Sequence, residues 1–490
     1  MTLSLKNESK LLARHSLIYG LGELLSRVVA LLLLPIYTRF LTPYDYGIKE
    51  LVGLSTDVIG ILLATSISSS IYRFYFDYEA EQDRNEVISS SIITIGVVGL
   101  IAISILAFTT KTMAFYILDS SDLYYFFLIS FASLWFTTLN QIGYNYLRAH
   151  QQSIKFIILA VFKLLITISL NIYLICFLKM GVVGILISTL ITSIIMSFVL
   201  MVPIIMKVKL RFSKNKIIEI LKYGLPLIPA QLGAFIVHLS DRFFIKGYCS
   251  IADAGIYSLG YRFGALPSNF ISGPFNQTWQ PRRFELYKQE GSEKVFGKIF
   301  TYFLYLMFFA GLIVSVLTKE ILMLMSDPQF WEAYQIVPII VLATTIFTFH
   351  YHLNMGILIH KKTKYLAYIN FSNGIIILIL NFLLIPPYGI WGAAYATLLA
   401  FIYKIVLTYY ISNKYHKIYF EVVRISKILF TVAVLYCFSY FMVYESIFVS
   451  LVMKSIVIML YPFVLSALRF YEDEEKETIV RMINKYVLRK

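Results

Sequence analysis

Charged side chains are scarce in this sequence. They make up 14% of its 490 residues, against roughly a quarter in soluble domains. With 59% hydrophobic residues and a mean hydropathy of +0.74, the scarcity argues against a chain folded in water and assigns most of it to lipid. Cysteine is nearly absent as well. Cys176, Cys249 and Cys437 lie far apart and mostly in apolar runs, a pattern of neither a disulfide framework nor a metal site. No glycine-rich loop with a following lysine occurs, so nucleotide hydrolysis is not expected; no cofactor, metal or catalytic residue is assigned from the sequence. Basic residues outnumber acidic ones 43 to 28, yet they form no domain of their own. They stand in short clusters between apolar runs, which is the pattern of membrane topology and not of a nucleic-acid surface.

What the chain has is long apolar runs. Lys6, Lys10 and Arg14 precede the first, as in a signal peptide. Leu17 to Thr38 is too long for that role and no small-x-small cleavage site follows, so we read it as an uncleaved span. A crossing needs about 20 mainly apolar residues. Fourteen segments qualify, near 17–38, 51–72, 87–108, 123–145, 156–178, 182–206, 223–240, 255–280, 299–317, 333–359, 365–385, 389–411, 428–444 and 447–468. Lipid offers no partner to free backbone groups, so the spans must be helices and the expected fold is an all-α integral membrane protein.

Basic residues orient the map. On the side of the N-terminus the loops and tails hold 31 of the 43 Lys and Arg residues, and the opposite side holds seven: Arg39, Lys49, Lys111, Lys179, Arg242, Lys246 and Lys319. The bias places both termini in the cytoplasm.

The chain also repeats itself. Tyr19-Gly20-Leu21 opens span one and Tyr223-Gly224-Leu225 opens span seven; Arg39-Phe40 and Arg242-Phe243 follow, then Gly47-Ile48 and Gly255-Ile256. Leu170-Asn171 precedes Gly181-x-x-Gly184 as Leu380-Asn381 precedes Gly389-x-x-Gly392, while Leu147 to His150 matches Ile357 to His360 in the histidine alone. Six spans separate the copies, an even number, so the halves run parallel and are related by an axis along the membrane normal. The expected organisation is an N-terminal six-helix lobe (1–206), a basic linker (207–222), a second six-helix lobe (223–411), and helices 13 and 14 with a tail (412–490). Two parallel bundles with a cavity between them suit an alternating-access carrier.

Charge inside a bilayer costs about 2.5–3.5 kcal/mol per residue on insertion scales, so intramembrane ionisable groups are the first site candidates. Glu23 and Arg27 stand four apart and can pair on one helix face; they form either a cavity-facing cation held by a carboxylate or a neutralised packing pair. Arg262 in span eight is either a cavity arginine or a packed one. Lys163 either meets an anionic headgroup or snorkels to the interface. Lys404 reads as a lipid-facing snorkeller, and Lys454 lies outside the repeat. Asp57 either partners an arginine or binds a coupling cation. His238, His350 and His352 read as hydrogen-bonded packing histidines, with no zinc-like spacing. Tyr72, Tyr75, Tyr78, Trp279 and Trp331 suit sugar stacking, although interfacial belts account for most such residues. Glu472 to Glu477 read as a solvated tail.

The run Tyr19-Gly20-Leu21 through Pro35, Tyr37-Thr38-Arg39-Phe40-Leu41-Thr42-Pro43 and Asp45-Tyr46-Gly47 resembles the polysaccharide transport family of the multidrug/oligosaccharidyl-lipid/polysaccharide exporter (MOP) superfamily, which includes Wzx-type O-antigen and capsule flippases. The resemblance extends over essentially the whole chain through the spans and the repeated Leu-Asn and Gly-x-x-Gly pairs. It implies a MATE-like fold in the cytoplasmic (inner) membrane. It further implies a flippase for a polyprenyl (undecaprenyl)-pyrophosphate-linked oligosaccharide, with a glycan polymerase and a chain-length regulator as further partners beside membrane lipids. Arg27 and Arg262 fit the cationic cavity of such a protein, with Glu23, Asp57 and Lys163 beside them. Three competing readings are a MATE-like drug and cation antiporter, a lipid II flippase related to MurJ, and a membrane glycan polymerase. The short outer loops weigh against the last.

Overall fold

A computed structural model describes residues 31–477, with the side chains of all of these but Thr65, Ser66 and Ser69. The described residues are helical almost throughout and contain no strand. Ten of their helices are long and apolar enough to cross a membrane, so the chain is a multi-pass membrane protein. That number differs from the fourteen segments read from the sequence, for reasons visible segment by segment. Most of the first lies outside the described residues. The second lies within Pro43–Asp77, which is not among the ten. The eighth falls in the interrupted stretch Ile251–Gly264, Ser268–Ser272 and Gly273–Leu286, which is not among the ten. The eleventh and twelfth run together in Lys364–Asn413, whose backbone departs from the helix at Gly389 (φ 56°, ψ −132°).

The helices are α1 (Leu34–Phe40), α2 (Pro43–Asp77), α3 (Glu81–Ala107), α4 (Thr110–Leu118), α5 (Tyr124–Ala149), α6 (Ser153–Asn171, continued by a π-helical turn to Phe177) and α7 (Gly181–Val208). They continue as α8 (Lys214–Gly224), α9 (Ile228–Leu239), α10 (Asp241–Tyr248), α11 (Ile251–Gly264), α12 (Gly273–Leu286) and α13 (Ser292–Met325). The last are α14 (Val337–Thr348), α15 (His350–Leu353), α16 (Met355–Ile359), α17 (Lys364–Asn413), α18 (Val422–Tyr440) and α19 (Ile447–Ala467). They group into two compact units. Unit 1 comprises Met1–Ser258, Met325–Phe330 and Ile377–Ala393; unit 2 comprises Leu259–Leu324, Trp331–Ile376 and Ala394–Lys490.

The sequence repeat reappears as repeated backbone geometry. Thr42 caps α2 with a capping box: its hydroxyl accepts the Asp45 amide at 3.1 Å, while the Asp45 carboxylate accepts the Thr42 amide at 3.0 Å. The equivalent Ser250 accepts the Asp253 amide at 3.0 Å and donates its hydroxyl to the Asp253 carboxylate at 2.6 Å, opening α11. Each cap contributes about 1 kcal/mol to its helix. Five residues past each cap stands a glycine, and within unit 1 the two meet. A Cβ on Gly47 would fall on the Ile251 carbonyl, and one on Gly255 on the Pro43 carbonyl and the Gly47 nitrogen. Gly181 and Gly389 take the same positive φ, 55° and 56°, at the two equivalent reversals. A third pair is subtler. His150 and His360 each bond through Nδ1 to the carbonyl four residues back, at 3.0 and 3.1 Å. Each is followed by a left-handed residue and by an amide that returns to the carbonyl five residues earlier at 2.9 Å, a Schellman closure.

Unit 1 packs α5 against α2, α3 and α7 around Ile71, Ile88, Ile142 and Met196. Polar side chains join the helices where lipid offers no alternative: Asn140 donates to the Ser193 carbonyl at 2.9 Å and Asn145 to the Ser68 carbonyl at 3.1 Å. The amphipathic α8 buries Ile217 and Ile220 there and is moored by Lys216 to Asp83 and Glu86 at 2.7 and 2.8 Å. Buried as an ion pair, Arg242 and Asp241 are joined by the Tyr257 hydroxyl at 2.6 Å, so the second-copy arginine serves packing.

In unit 2, α13 packs on α18 and α19 through Phe300, Leu304, Ile428, Leu435 and Tyr461. Glu320 and Lys454 pair within this unit at 2.5 Å, and Ser450 donates to the same carboxylate oxygen at 2.8 Å. The acidic tail is not simply solvated. Glu475 accepts from Arg424 at 2.9 Å and from Tyr302, while Glu472 accepts from Lys298 at 2.6 Å. The reason is local charge: Arg424 is buried and draws three carboxylates, Glu421, Glu472 and Glu475, around it.

Candidate functional site

The fourteenth helix begins a broken run. One span's worth of chain, from Val337 to Ile359, is divided into α14, α15 and α16, interrupted at Phe349 and Asn354. Breaks in a membrane helix free backbone carbonyls, which must find partners inside the protein. At this break the partner is Arg283, near the end of α12. Its Nη1 donates to the Tyr351 carbonyl at 2.8 Å and to the Asn354 side-chain oxygen at 3.0 Å.

From Arg283 a polar chain runs through the interior of unit 2. The Asn354 amide lies 3.4 Å from His350 Nε2, and His350 Nδ1 lies 3.4 Å from the Thr408 hydroxyl. Thr408 donates to the Lys404 carbonyl one turn back at 2.7 Å. Lys404 turns its ammonium over the face of Phe347, 4.5 Å from the ring centre, a cation–π contact. His350 lies within electrostatic reach of both Lys404 and Arg283. Both cations are buried, Arg283 at 3% and Lys404 at 6% exposure, and neither has a carboxylate partner among the described residues. That is unusual, because desolvating a charge costs several kcal/mol unless a counter-charge offsets it. The Glu320–Lys454 pair of the same unit is so compensated.

The surroundings of Arg283 are aromatic. His352 stacks on Trp279 at 5.5 Å and is enclosed by Phe275, Phe300 and Phe303. Both its ring nitrogens, the Trp279 Nε1 and the Arg283 Nε are buried without hydrogen-bond partners among the described residues. A cavity of about 10 Å³ lies among Trp279, Arg283, Phe300 and His352, closed to anything larger than a water molecule. The chemistry available at this cavity is donation to an anion by the Arg283 guanidinium; Lys404, at the other end of the polar chain, is not among the residues that line it.

The residues singled out from the sequence are placed as follows. Arg27 and Glu23 lie outside the described residues. Asp57 is exposed on α2 and Lys163 exposed on α6, both in unit 1, and they do not pair with each other; Arg262 is half-buried at the end of α11 in unit 2. Lys404 is not a lipid-facing snorkeller: α17 turns that face inward and Phe347 covers it. Arg283, counted with the loop cations, is interior. His350 and His352 are not ordinary satisfied histidines: among the described residues the first has only long hydrogen-bond contacts and the second none. The signal for this site was present as His350-x-His352-x-Asn354, a polar run inside an apolar span, together with Lys404 and Thr408 one turn apart. The tyrosines offered for sugar stacking are engaged elsewhere: Tyr72 donates to Asn145 at 3.0 Å, Tyr75 meets His150 at 3.1 Å and Tyr78 donates to Glu219 at 2.9 Å.

Comparison with known proteins places this geometry. Residues 12–287 match the model of a family described as polysaccharide biosynthesis protein. No curated protein matches the sequence. Among solved structures, the lipid II flippase MurJ in an inward closed conformation is similar with a TM-score of 0.72 at 16% identity, over 92% of this chain and 99% of that one. An inward-facing multidrug resistance MATE transporter of the MOP superfamily gives 0.64 at 14% identity, over 83% and 96%. A MATE transporter from Vibrio cholerae gives 0.55 at 14% identity, over 84% and 97%. At these identities the likeness establishes a shared fold, the MATE and MurJ fold of the MOP superfamily.

Proposed function

The chain belongs to the polysaccharide biosynthesis protein family, and on that footing we propose that it is a flippase. Its substrate is a polyprenyl (undecaprenyl)-pyrophosphate-linked oligosaccharide repeat unit, carried across the cytoplasmic membrane by alternating access for O-antigen, capsule or exopolysaccharide assembly. The observation that carries the reading is the polar chain of unit 2, in which Arg283 and Lys404 are buried with no carboxylate partner among the described residues. Such a site favours an anion. A pyrophosphate supplies two phosphates, and a guanidinium fork can hold two oxygens of one while the ammonium meets the other as a point charge. A drug and cation antiporter would need buried carboxylates free for coupling, whereas the buried Asp241 and Glu320 are paired with Arg242 and Lys454. No catalysis is assigned to the chain.

In this reading the lobes are 1–206 and 223–411, and both termini are cytoplasmic, as the 31 basic residues on that side support. Asp57, Lys163 and Arg262, with Glu23 and Arg27 outside the described residues, are further candidates for contact with the substrate; exposed charges on spanning helices, such as Asp57 and Lys163, are far less costly facing water than facing lipid. A glycan polymerase and a chain-length regulator act on the delivered product. A second reading, flipping of lipid II, draws on the MurJ likeness and shares the pyrophosphate chemistry.

The test is transport in proteoliposomes containing either polyprenyl-pyrophosphate oligosaccharide or lipid II, with surface glycan measured in cells. Arg283→Ala and Lys404→Ala are expected to cut flipping and surface glycan at least tenfold, about 1.4 kcal/mol, at unchanged membrane level. Arg27→Ala and Arg262→Ala carry the same direction. Undiminished glycan in the Arg283 and Lys404 variants overturns the site; flipping of lipid II alone selects the second reading.

A further inference from the structure

Unit 1 carries a separate groove, at the end of α5, α6 and α7 where the basic loop 207–222 begins. Its cavity of about 190 Å³ is lined by Tyr146, Gln152, Lys155, Leu159, Leu200 and Lys207, with Val199 and Pro203 beside them. Its polar groups lack partners. Lys155 and Lys207 are exposed and have no carboxylate partner among the described residues. Tyr146 is 4% exposed, yet its hydroxyl has no hydrogen-bond partner among the described residues; the neighbouring His150 is taken by the Tyr75 hydroxyl and by the Tyr146 carbonyl. Pro203 stands inside α7. Proline has no N–H, so the carbonyl of Val199 four residues earlier has no helical donor.

The floor and flanks are apolar. Below the lysines, Leu159, Leu200 and Ile204 line the cavity, and Ile158 and Phe162 of α6 and Phe198, Val202 and Met206 of α7 are exposed on the same two helices. A ligand satisfying both halves has an anionic head for two ammonium groups and a phenol, and hydrocarbon for the exposed flanks. Cations at the ends of spans attract acidic lipid, each contributing about 1 kcal/mol near the surface. An oligosaccharide does not meet this description, since the walls beyond the lysines are hydrocarbon.

We propose that this groove is a binding site for an anionic phospholipid of the leaflet facing the basic loops, its phosphodiester between Lys155 and Lys207 and hydrogen-bonded by Tyr146, its chains along α6 and α7. The site is separate from the polar chain of unit 2 and does not depend on the flippase reading.

The experiment uses the purified full-length protein in nanodiscs and in detergent. Phosphatidylglycerol is titrated against phosphatidylcholine, with bound lipid counted by native mass spectrometry and thermal stability followed in parallel. Inorganic phosphate at millimolar concentration forms a third arm. Wild type is expected to retain phosphatidylglycerol over phosphatidylcholine by at least tenfold. Lys155→Ala with Lys207→Ala reduces that preference by about tenfold or more, two charges at the cited value each. Tyr146→Phe, which keeps the ring packing, weakens it by a smaller factor at an unchanged melting temperature, and so reads the site without depending on the double variant's fold. Equal retention of both lipids by wild type, or an unchanged preference in Tyr146→Phe and the lysine variants, overturns the proposal. Equal stabilisation by inorganic phosphate overturns the lipid assignment.

Discussion

Substituting alanine at Gly47 probes the crossing of α2 and α11 inside unit 1. In an open helix the change is favourable, since alanine is better than glycine by about 0.8–1.0 kcal/mol. At this crossing the added carbon meets backbone. It would fall on the Ile251 carbonyl oxygen, with the Ile251 carbonyl carbon and Cγ2 each at 2.8 Å, where real contacts keep to at least 3.0 Å. A backbone carbonyl cannot swing away as a side-chain end does, so the helices must separate by roughly 1 Å and lose dispersion along the crossing. Overpacking of this kind costs about 1–3 kcal/mol, which leaves a net loss of up to about 2 kcal/mol after the propensity gain. Gly255→Ala meets the Pro43 carbonyl and the Gly47 nitrogen and carries the same expectation. Because the contacts are reciprocal, a separation forced by one substitution relieves the other, and the double variant should cost less than the two singles together. The assay is thermal unfolding in detergent, with maleimide labelling of the exposed Cys249, next to the Ser250 cap, as a probe of local opening. Gly53→Ala serves as control, since a Cβ there meets nothing within 4 Å; it should be neutral or stabilising. If Gly47→Ala and Gly255→Ala behave like Gly53→Ala, the crossing is not tight and the reasoning fails.

Two further predictions concern the charged groups. Arg283→Lys keeps a positive charge and donors for the Tyr351 carbonyl and Asn354, but lacks the planar Nε edge; it should melt near wild type while flipping at least tenfold more slowly, and wild-type flipping would show that only the helix break needs a cation there. Glu475 has a carboxyl held below its ordinary value of 4.5: burial pushes it up, but the Tyr302 hydroxyl, the Glu472 amide and Arg424 outweigh burial. A depressed carboxylate contributes its stability in full above 4.5 and loses it as pH falls through the lowered value. The tail should therefore become more open to proteolysis below pH 4.5, and Glu475→Gln should show that susceptibility at neutral pH; equal cleavage of wild type at both pH values refutes the clasp.

The membrane fold was legible because composition and run length report the solvent of each segment directly. The repeat was legible at Gly47 and Gly255 and at Gly181 and Gly389, where one residue type is demanded by close approach or by a positive φ. At His150 and His360 the identity of one residue understated a match that the backbone preserves in full, since a helix ending tolerates many sequences. Hidden from the sequence was the direction each charge faces. Lys404 on an apolar helix reads the same whether it points to lipid or to Phe347, and Arg283 stands at a span end where a shift of one turn separates loop from interior. The tail was misread for a related cause: Glu475 answers Arg424, and no local pattern records a pairing over that separation. Asp57 and Lys163, chosen for their cost in lipid, stand on exposed faces of unit 1, and Arg262 on a half-buried face of unit 2.

The charge balance of unit 2 connects fold to transport. Glu320 and Lys454 neutralise each other, and Arg424 is encircled by carboxylates; both can stay fixed through a working cycle. Arg283 and Lys404 have no such compensation among the described residues, and they are joined to the broken run α14 to α16 through Tyr351, Asn354 and His350. Under the flippase reading the missing negative charge arrives with the cargo. A pyrophosphate that reaches these cations lowers the energy of whichever conformation exposes them, and its departure raises it again, so binding itself biases the equilibrium between open and closed forms. A neutral substrate has no such differential affinity. On that reading, two cations with no carboxylate partner among the described residues are what lets an anionic cargo bias the equilibrium of the site that holds it.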